Sequence, residues 1–156
     1  FSPARVLDAG AGPGTASWAA AELWPQLQSV TMLDRNPHLL AAAHTLAQAS
    51  PIAALARSQF ISADLSSMFP PPRAEEVPPK AAEGGSHDLI LAGYTFAELP
   101  AQTRDRVLTS LWNACAGLLV IVEPGTPAGF ATIFACRTAL IAAGARSVAP
   151  LPAALP

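Results

Sequence analysis

The feature that most constrains this chain is a run of alternating glycines, Gly10, Gly12 and Gly14, set between a strand pattern and a helix pattern. Before it, Arg5-Val6-Leu7-Asp8-Ala9 reads as a short strand. After it, an alanine-rich run from Thr15 to Trp24 reads as a helix that Pro25 stops. Glycine lets the backbone turn sharply at such a junction and leaves no Cβ in the way of a ligand. The amides of the next helix's first turn then point at whatever the loop holds.

The alternation of strand and helix continues. Strand patterns lie at Ser29-Val30-Thr31-Met32-Leu33, ending at Asp34, and at Gln59-Phe60-Ile61-Ser62-Ala63, ending at Asp64. Two more lie at Asp88-Leu89-Ile90-Leu91-Ala92 and at Leu118-Leu119-Val120-Ile121-Val122, the latter ending at Glu123-Pro124-Gly125. Asn36 caps a helix that starts at Pro37, whose residues Leu39, Leu40, Ala43, Leu46 and Ala47 share one face. A second helix is expected over 102–115, with Val107, Leu108, Leu111, Trp112 and Cys115 on one face, and a third over 128–143, stopped by Gly144. Strands alternating with helices predict an α/β domain, a doubly wound and mostly parallel sheet with helices on both faces. The whole of 1–156 reads as one domain. Its stretch 69–87, rich in proline and charge, is expected to be a solvated, mobile loop.

The loop's spacing discriminates between ligands. A nicotinamide dinucleotide site carries G-x-G-x-x-G, whereas this loop has G-x-G-x-G followed by Thr15. Asp8, just before the first glycine, would repel a pyrophosphate. It suits S-adenosylmethionine, which has no phosphate and carries an ammonium and a sulfonium. Asp34 stands about 20 residues beyond the loop, where a carboxylate accepts hydrogen bonds from both ribose hydroxyls. Asp64 follows the third strand, where a carboxylate can accept from an adenine amine while the Leu65 amide meets a ring nitrogen. Three acidic residues at the ends of three parallel strands lie on one edge of the sheet, the edge at which open α/β sheets bind ligands.

At this point the chain resembles the class I S-adenosylmethionine-dependent methyltransferases, with their Rossmann-like fold. The resemblance implies a sheet order 3-2-1-4-5-7-6, with the last two strands missing from this segment. It implies that Asp8, Gly10, Gly12 and Gly14 form the methionine-side loop, Asp34 with Arg35 the ribose side, Asp64 with Leu65 the adenine side, and Gly93 and Tyr94 the wall beside the sulfonium. More narrowly, VLDAGAGPGTASWAA, DLILAGYTFAELP and LLVIVEPGTPAGF are similar to the methyltransferase-like assembly factors of the mitochondrial small ribosomal subunit and their bacterial relatives. That resemblance implies small-subunit rRNA or ribosomal proteins as partners, in a mitochondrion if eukaryotic and in the cytoplasm if bacterial. It places any iron–sulfur cluster outside this segment.

The acceptor side is less informative. After the fourth strand, Ala92-Gly93-Tyr94-Thr95-Phe96 is not the Asn-Pro-Pro-Tyr type motif of base-amine methylation. Cys115 and Cys136 both read as helical, away from strand ends, which excludes cytosine C5 chemistry, and they lack ligand or disulfide spacing. Glu98 reads as a solvated carboxylate or a base. Glu123 reads either as orienting an acceptor or as holding the following turn. Tyr94 and Phe96 read as base-stacking or as packing residues. His38 and His44 on a helix and His87 in the loop share no metal spacing, and Trp18, Trp24 and Trp112 read as helix-to-sheet packing. No catalytic residue and no metal site is assigned. A net charge of −2 and a pI near 5.9 give no basic face for DNA or for RNA on this segment alone. No apolar run of about 18 residues is present to span a membrane. Three functions fit: rRNA methyl transfer, cofactor-binding assembly without transfer, and methylation of a small molecule.

Overall fold

The computed structural model describes residues 1–68 and 86–149, so the expected loop at 69–87 lies almost entirely outside the described residues. The elements run β1 (Arg5–Ala9), α1 (Thr15–Leu23), β2 (Ser29–Asp34), α2 (Pro37–Gln48), α3 (Ala53–Ala56), β3 (Gln59–Ser62), α4 (Leu65–Met68) and β4 (His87–Gly93). A 3-10 turn at Phe96–Glu98, α5 (Ala101–Ala114), β5 (Cys115–Val122) and α6 (Pro127–Ala142) complete them. The strands form one sheet in the order β3-β2-β1-β4-β5, and every pairing is parallel.

Period-2 alternation divides the apolar residues between the two faces. Val6, Val30, Met32, Leu89 and Leu91 face α1, α2 and α3, meeting Ala20, Ala21, Leu40, Ala43, Ala47 and Leu55. Leu7, Ala9, Leu33, Ile90 and Ala92 face the other way, against Leu65, Phe96, Val107, Leu108, Leu111 and Cys136 from α4, the 3-10 turn, α5 and α6. The sheet is therefore doubly wound, with β1 at its centre. At the opposite edge from the glycine loop, Asp88 fixes β1 against β4. Its Oδ2 accepts from the Ala4 and Arg5 amides at 3.0 and 2.9 Å, and its Oδ1 pairs with the Arg5 guanidinium at 3.1 Å.

Several boundaries differ from the sequence reading, each for a local reason. Cys115 opens β5 and is not helical, because α5 passes into the strand with no intervening loop. The helical spacing from Val107 runs through Cys115, and Ala116-Gly117 carries no β-branched signal, so the pattern hides the change. His87 begins β4 and is half-buried, which lowers its pKa through desolvation. On α2, Leu40, Ala43 and Ala47 are buried but Leu39 and Leu46 are exposed, so the buried stripe is narrower than the apolar one. Trp18 and Trp24 pack on the sheet as expected, whereas Trp112 lines a groove between α5 and α6. Short α3, α4 and the 3-10 turn have no clear sequence signature.

The start of α6 explains part of the Glu123-Pro124-Gly125-Thr126-Pro127-Ala128-Gly129-Phe130 run. The Thr126 hydroxyl accepts from the Gly129 amide at 3.1 Å as an N-cap, and Pro127 takes the first helical position. A Cβ on Gly129 would collide with the Pro124 carbonyl oxygen and backbone. Gly129→Ala is expected to destabilise the fold by about 1–3 kcal/mol, through an overpacked contact with rigid backbone. Urea unfolding measures it, and an unchanged midpoint would show that the helix start yields freely.

Candidate functional site

The glycine loop is built against the end of β2. The Gly10 and Ala11 amides both donate to the Leu33 carbonyl, at 2.8 and 2.9 Å. Gly10 has φ 77°, and a Cβ there would strike the Thr95 hydroxyl, so only glycine allows the ends of β1 and β4 to close up. Gly12 has φ 54°, and a Cβ there would meet nothing within 4 Å. Gly12 is part of the lining of a cleft of about 670 Å³, formed by the loop, by the ends of β2 and β4, and by Ala63, Asp64 and Leu65. Of the predicted site residues, Asp8, Gly10, Gly12, Asp34, Arg35, Asp64, Leu65, Gly93 and Tyr94 all line it. Gly14 does not; it stands behind the loop as the N-cap of α1, packed near Met32.

The three carboxylates occupy distinct environments. Asp8 is 1% exposed, and its Oδ2 accepts both from the Ser17 amide at 3.1 Å and from the Ser17 hydroxyl at 2.7 Å. Burial pushes its pKa up to about 6, against the two hydrogen bonds from Ser17, and nearby Asp34 adds to the rise. Asp34 is 9% exposed and bridges two loops: Oδ2 accepts from the Gly12 amide and Oδ1 from the Asn36 amide, both at 2.7 Å. Each oxygen keeps a further lone pair for a ligand hydroxyl. Asp64 lies in the link after β3, where Ser66, through its side chain first and then its amide at 2.7 Å, pulls the Asp64 pKa down. It is a solvated anion, unlike the other two.

The wall after β4 holds a conformational outlier. Tyr94 has φ 57°, which costs a residue with a Cβ about 1–2 kcal/mol, and its side chain stays 62% exposed. Its amide donates to the Val122 carbonyl at 2.8 Å. Thr95 is turned inward, its hydroxyl donating to the Ala9 carbonyl at 3.0 Å. Phe96 is fully buried in the core, which removes it as a stacking residue. Glu98 is not a free base: it pairs with Arg35 at 3.1 Å, and both line the cleft mouth from opposite sides. Glu123 reaches back to this wall, its Oε1 accepting from Phe96 and Ala97 amides. Among the described residues the cleft thus presents four carboxylates, Asp8, Asp34, Asp64 and Glu98, and one guanidinium, Arg35. Such a site attracts cations and donors and repels phosphate.

Sequence reasoning missed Ser17, Thr95, Leu39 and Val122. Ser17 is, with Thr15, one of two hydroxyl residues in the first turn of α1, and Thr95 directly follows the predicted wall residue, so both had weak signals. Leu39 and Val122 looked like core. Cys115 stands at the amino end of β5, away from the cleft, and Cys136 is buried on α6. No group of three or more His, Cys, Asp or Glu among the described residues is arranged to hold a metal ion.

The model of the family described as mitochondrial small ribosomal subunit Rsm22 matches residues 1–155. The chain belongs to the Rsm22 family. It is 29% identical over 139 residues to the human mitochondrial ribosome assembly protein METTL17, covering 88% of this chain and 28% of that protein. It is 41% identical over 126 residues to trans-aconitate 2-methyltransferase of Streptomyces avermitilis, covering 79% of this chain and 40% of the enzyme. The chain thus spans less than half the length of these relatives. Solved structures share the fold. The glycopeptide N-methyltransferase MtfA complexed with sinefungin superimposes with a TM-score of 0.54 at 18% identity, over 75% of this chain and 45% of that one. PKMT2 from Rickettsia typhi in complex with AdoHcy does so with a TM-score of 0.53 at 16% identity, over 74% of this chain and 20% of that one. The Rsm22-family chain is therefore a doubly wound, methyltransferase-like α/β unit.

Keeping Asp8 ionised in this Rsm22-family fold costs stability. Its folded pKa lies above the unfolded value of 3.8, so its penalty is absent below pH 3.8, grows as pH rises, and is complete above about pH 6. Asp8→Asn keeps an oxygen that can accept from Ser17 and removes the buried charge. It is expected to raise stability at pH 7.5 by up to about 3 kcal/mol, with the gain fading as pH falls from 6 to 4. Thermal unfolding across that range checks it, and a destabilised variant at neutral pH would refute the assigned cost.

Proposed function

We propose that this cleft binds S-adenosylmethionine and that the domain, residues 1–156, is the cofactor-binding unit of a factor acting on or assembling the small ribosomal subunit. The observation that carries the reading is the joining of the glycine loop to two largely buried carboxylates, Asp8 and Asp34, in one open cleft. Asp8, kept out of water at a cost and paired with no cation among the described residues, together with the largely buried Asp34 beside it, favours a cationic ligand. A pyrophosphate oxygen at 4 Å from either would meet a repulsion on the order of 4 kcal/mol at an effective dielectric of 20.

The residues fit that ligand. Asp34 offers its remaining lone pairs to the ribose hydroxyls, with Arg35 beside it at the mouth. Asp64 and the Leu65 amide take the adenine edge. Asp8, Gly10 and Gly12 face the amino-acid end, Gly14 starts the helix behind them, and Gly93 and Tyr94 line the sulfonium side. When bound, S-adenosylmethionine supplies a methyl group already activated by its sulfonium, so alignment of an acceptor can provide most of the rate. In this reading Asp8, Asp34 and Asp64 are taken up by the ligand, Glu98 is paired with Arg35, and Glu123 is bound to backbone amides, so no carboxylate of the described cleft is assigned as a general base. An acceptor that needs deprotonation would have to find its base elsewhere in the protein.

Family membership and the likeness to a ribosome assembly protein support the small subunit as partner, with rRNA or a ribosomal protein as the contact, in mitochondria where the protein is eukaryotic and in the cytoplasm where it is bacterial. A second reading, methylation of a small molecule, is favoured by the 41% identity to trans-aconitate 2-methyltransferase. Co-sedimentation and crosslinking of the full-length protein separate the two: the first reading expects association with small subunits, and its absence together with transfer to a small carboxylic acid would favour the second. Within the cleft, Asp34→Ala is expected to weaken cofactor binding by about 1–3 kcal/mol through lost charge-assisted hydrogen bonds. Gly12→Val is expected to abolish the ligand-induced thermal shift, because the side chain enters the cleft at a positive φ. Unchanged binding in both variants would remove the proposed site.

A further inference from the structure

One glutamate outside the cleft controls the shape of its far wall. Glu123 follows β5, and its Oε1 accepts from the Phe96 amide at 2.7 Å and from the Ala97 amide at 3.2 Å. From the other side, Arg104 of α5 donates through Nε to the Phe96 carbonyl at 3.1 Å and through its guanidinium to the Leu99 carbonyl at 3.2 Å. The strained Tyr94 sits at the head of this same segment, its own amide bound to the Val122 carbonyl one residue before Glu123. Phe96, fully buried, anchors the middle.

The cost of this arrangement argues that the position matters. Glu123 Oε2 is buried, with no hydrogen-bond partner among the described residues. A half-satisfied carboxylate is less favourable than an apolar side chain at such a place, unless the bonds made by the other oxygen are needed. Those bonds go only to the segment that carries Tyr94 into the cleft. Tyr94 needs such support, because its left-handed backbone is not offset by burial of its ring, and strain of that kind persists only where the surroundings over-determine it.

We propose that Glu123 is a positioning residue for the cofactor cleft: it touches no ligand, and through its paired bonds to Phe96 and Ala97 it holds the Tyr94 wall in the shape that binds. The inference rests on the cofactor reading for its binding arm, while its brace stands on the hydrogen bonds alone. It also gives a role to the opening residue of the EPGTPAGF run, whose Gly129 closes the α6 start against Pro124 and so fixes the turn from which Glu123 reaches.

Two variants separate reach from charge. Glu123→Asp keeps the carboxylate but falls one methylene short of the amides; Glu123→Gln keeps the reach and an accepting oxygen but loses the charge. In the full-length protein, native-state hydrogen exchange at Phe96 and Ala97 is expected to quicken about tenfold or more in Glu123→Asp, with Leu7 and Ile90 in the central strands unchanged. Calorimetric affinity for S-adenosylmethionine is expected to drop about tenfold in the same variant. Glu123→Gln should keep both properties within about threefold of the parent. Unchanged exchange in Glu123→Asp, or Gln behaving like Asp, would overturn the brace. Faster exchange with unaltered affinity would overturn its role in the cleft. A parent protein that binds no S-adenosylmethionine would end the cofactor reading and the cleft role with it, and the exchange data would still decide the brace.

Discussion

The hydrogen bond from the Gly12 amide to Asp34 Oδ2 links the two halves of this site. A parallel sheet leaves the carboxyl ends of its strands as an open edge, and loops leaving that edge have no fixed relation unless something ties them. Here β1's glycine loop leans on β2 through the Leu33 carbonyl and through Asp34, while Asp34 also holds the Asn36 amide that opens α2. One carboxylate therefore sets the shape of the loop and the direction of the next helix, and it still has lone pairs facing the cleft. Asp8 performs the matching task one strand over, fixing α1 through both the amide and the hydroxyl of Ser17.

Charge is concentrated where structure alone would avoid it. Burial raises the pKa of Asp8, and the nearby Asp34 carboxylate adds to the rise. Among the described residues neither has an arginine or lysine partner in the manner of Asp88, which pairs with Arg5 at the opposite edge and is pulled down in pKa by that bond. The contrast between the two edges is informative. At the amino edge the carboxylate is compensated by a guanidinium; at the carboxyl edge Asp8 and Asp34 are held by backbone amides and the Ser17 hydroxyl, which fits the proposed cationic ligand. The strained Tyr94 and the braced segment behind it stand on that same edge, so cost and function coincide there.

Much of this was legible in the sequence. The glycine run, the strand-end acidic residues and the alternation of patterns were enough for the fold class and for Asp8, Gly10, Gly12, Asp34, Asp64 and Leu65 in the cleft, while the strand order and Arg35, Gly93 and Tyr94 came only with the family resemblance that those motifs carry. The former depend on local rules: positive φ at glycine, period 2 in strands, one edge for all carboxyl ends. What was not legible depends on contacts made across the sheet. Cys115 was read as helical because helical spacing continues across a junction that has no loop. Phe96 was left between base-stacking and packing because nothing local shows that the residue after Thr95 turns into the core, where the structure buries it. Glu123 was left between two roles because its partners, Phe96 and Ala97, are distant in sequence and come within reach only when β4 and β5 pair.

The cleft proposed here selects a phosphate-free cationic nucleoside over a dinucleotide. Calorimetric titration of the full-length protein with S-adenosylmethionine, and separately with NAD, tests this directly. Binding of S-adenosylmethionine is expected in the micromolar range, about −8 kcal/mol, with no measurable heat for NAD. Binding of NAD with comparable affinity, or of neither ligand, would contradict it.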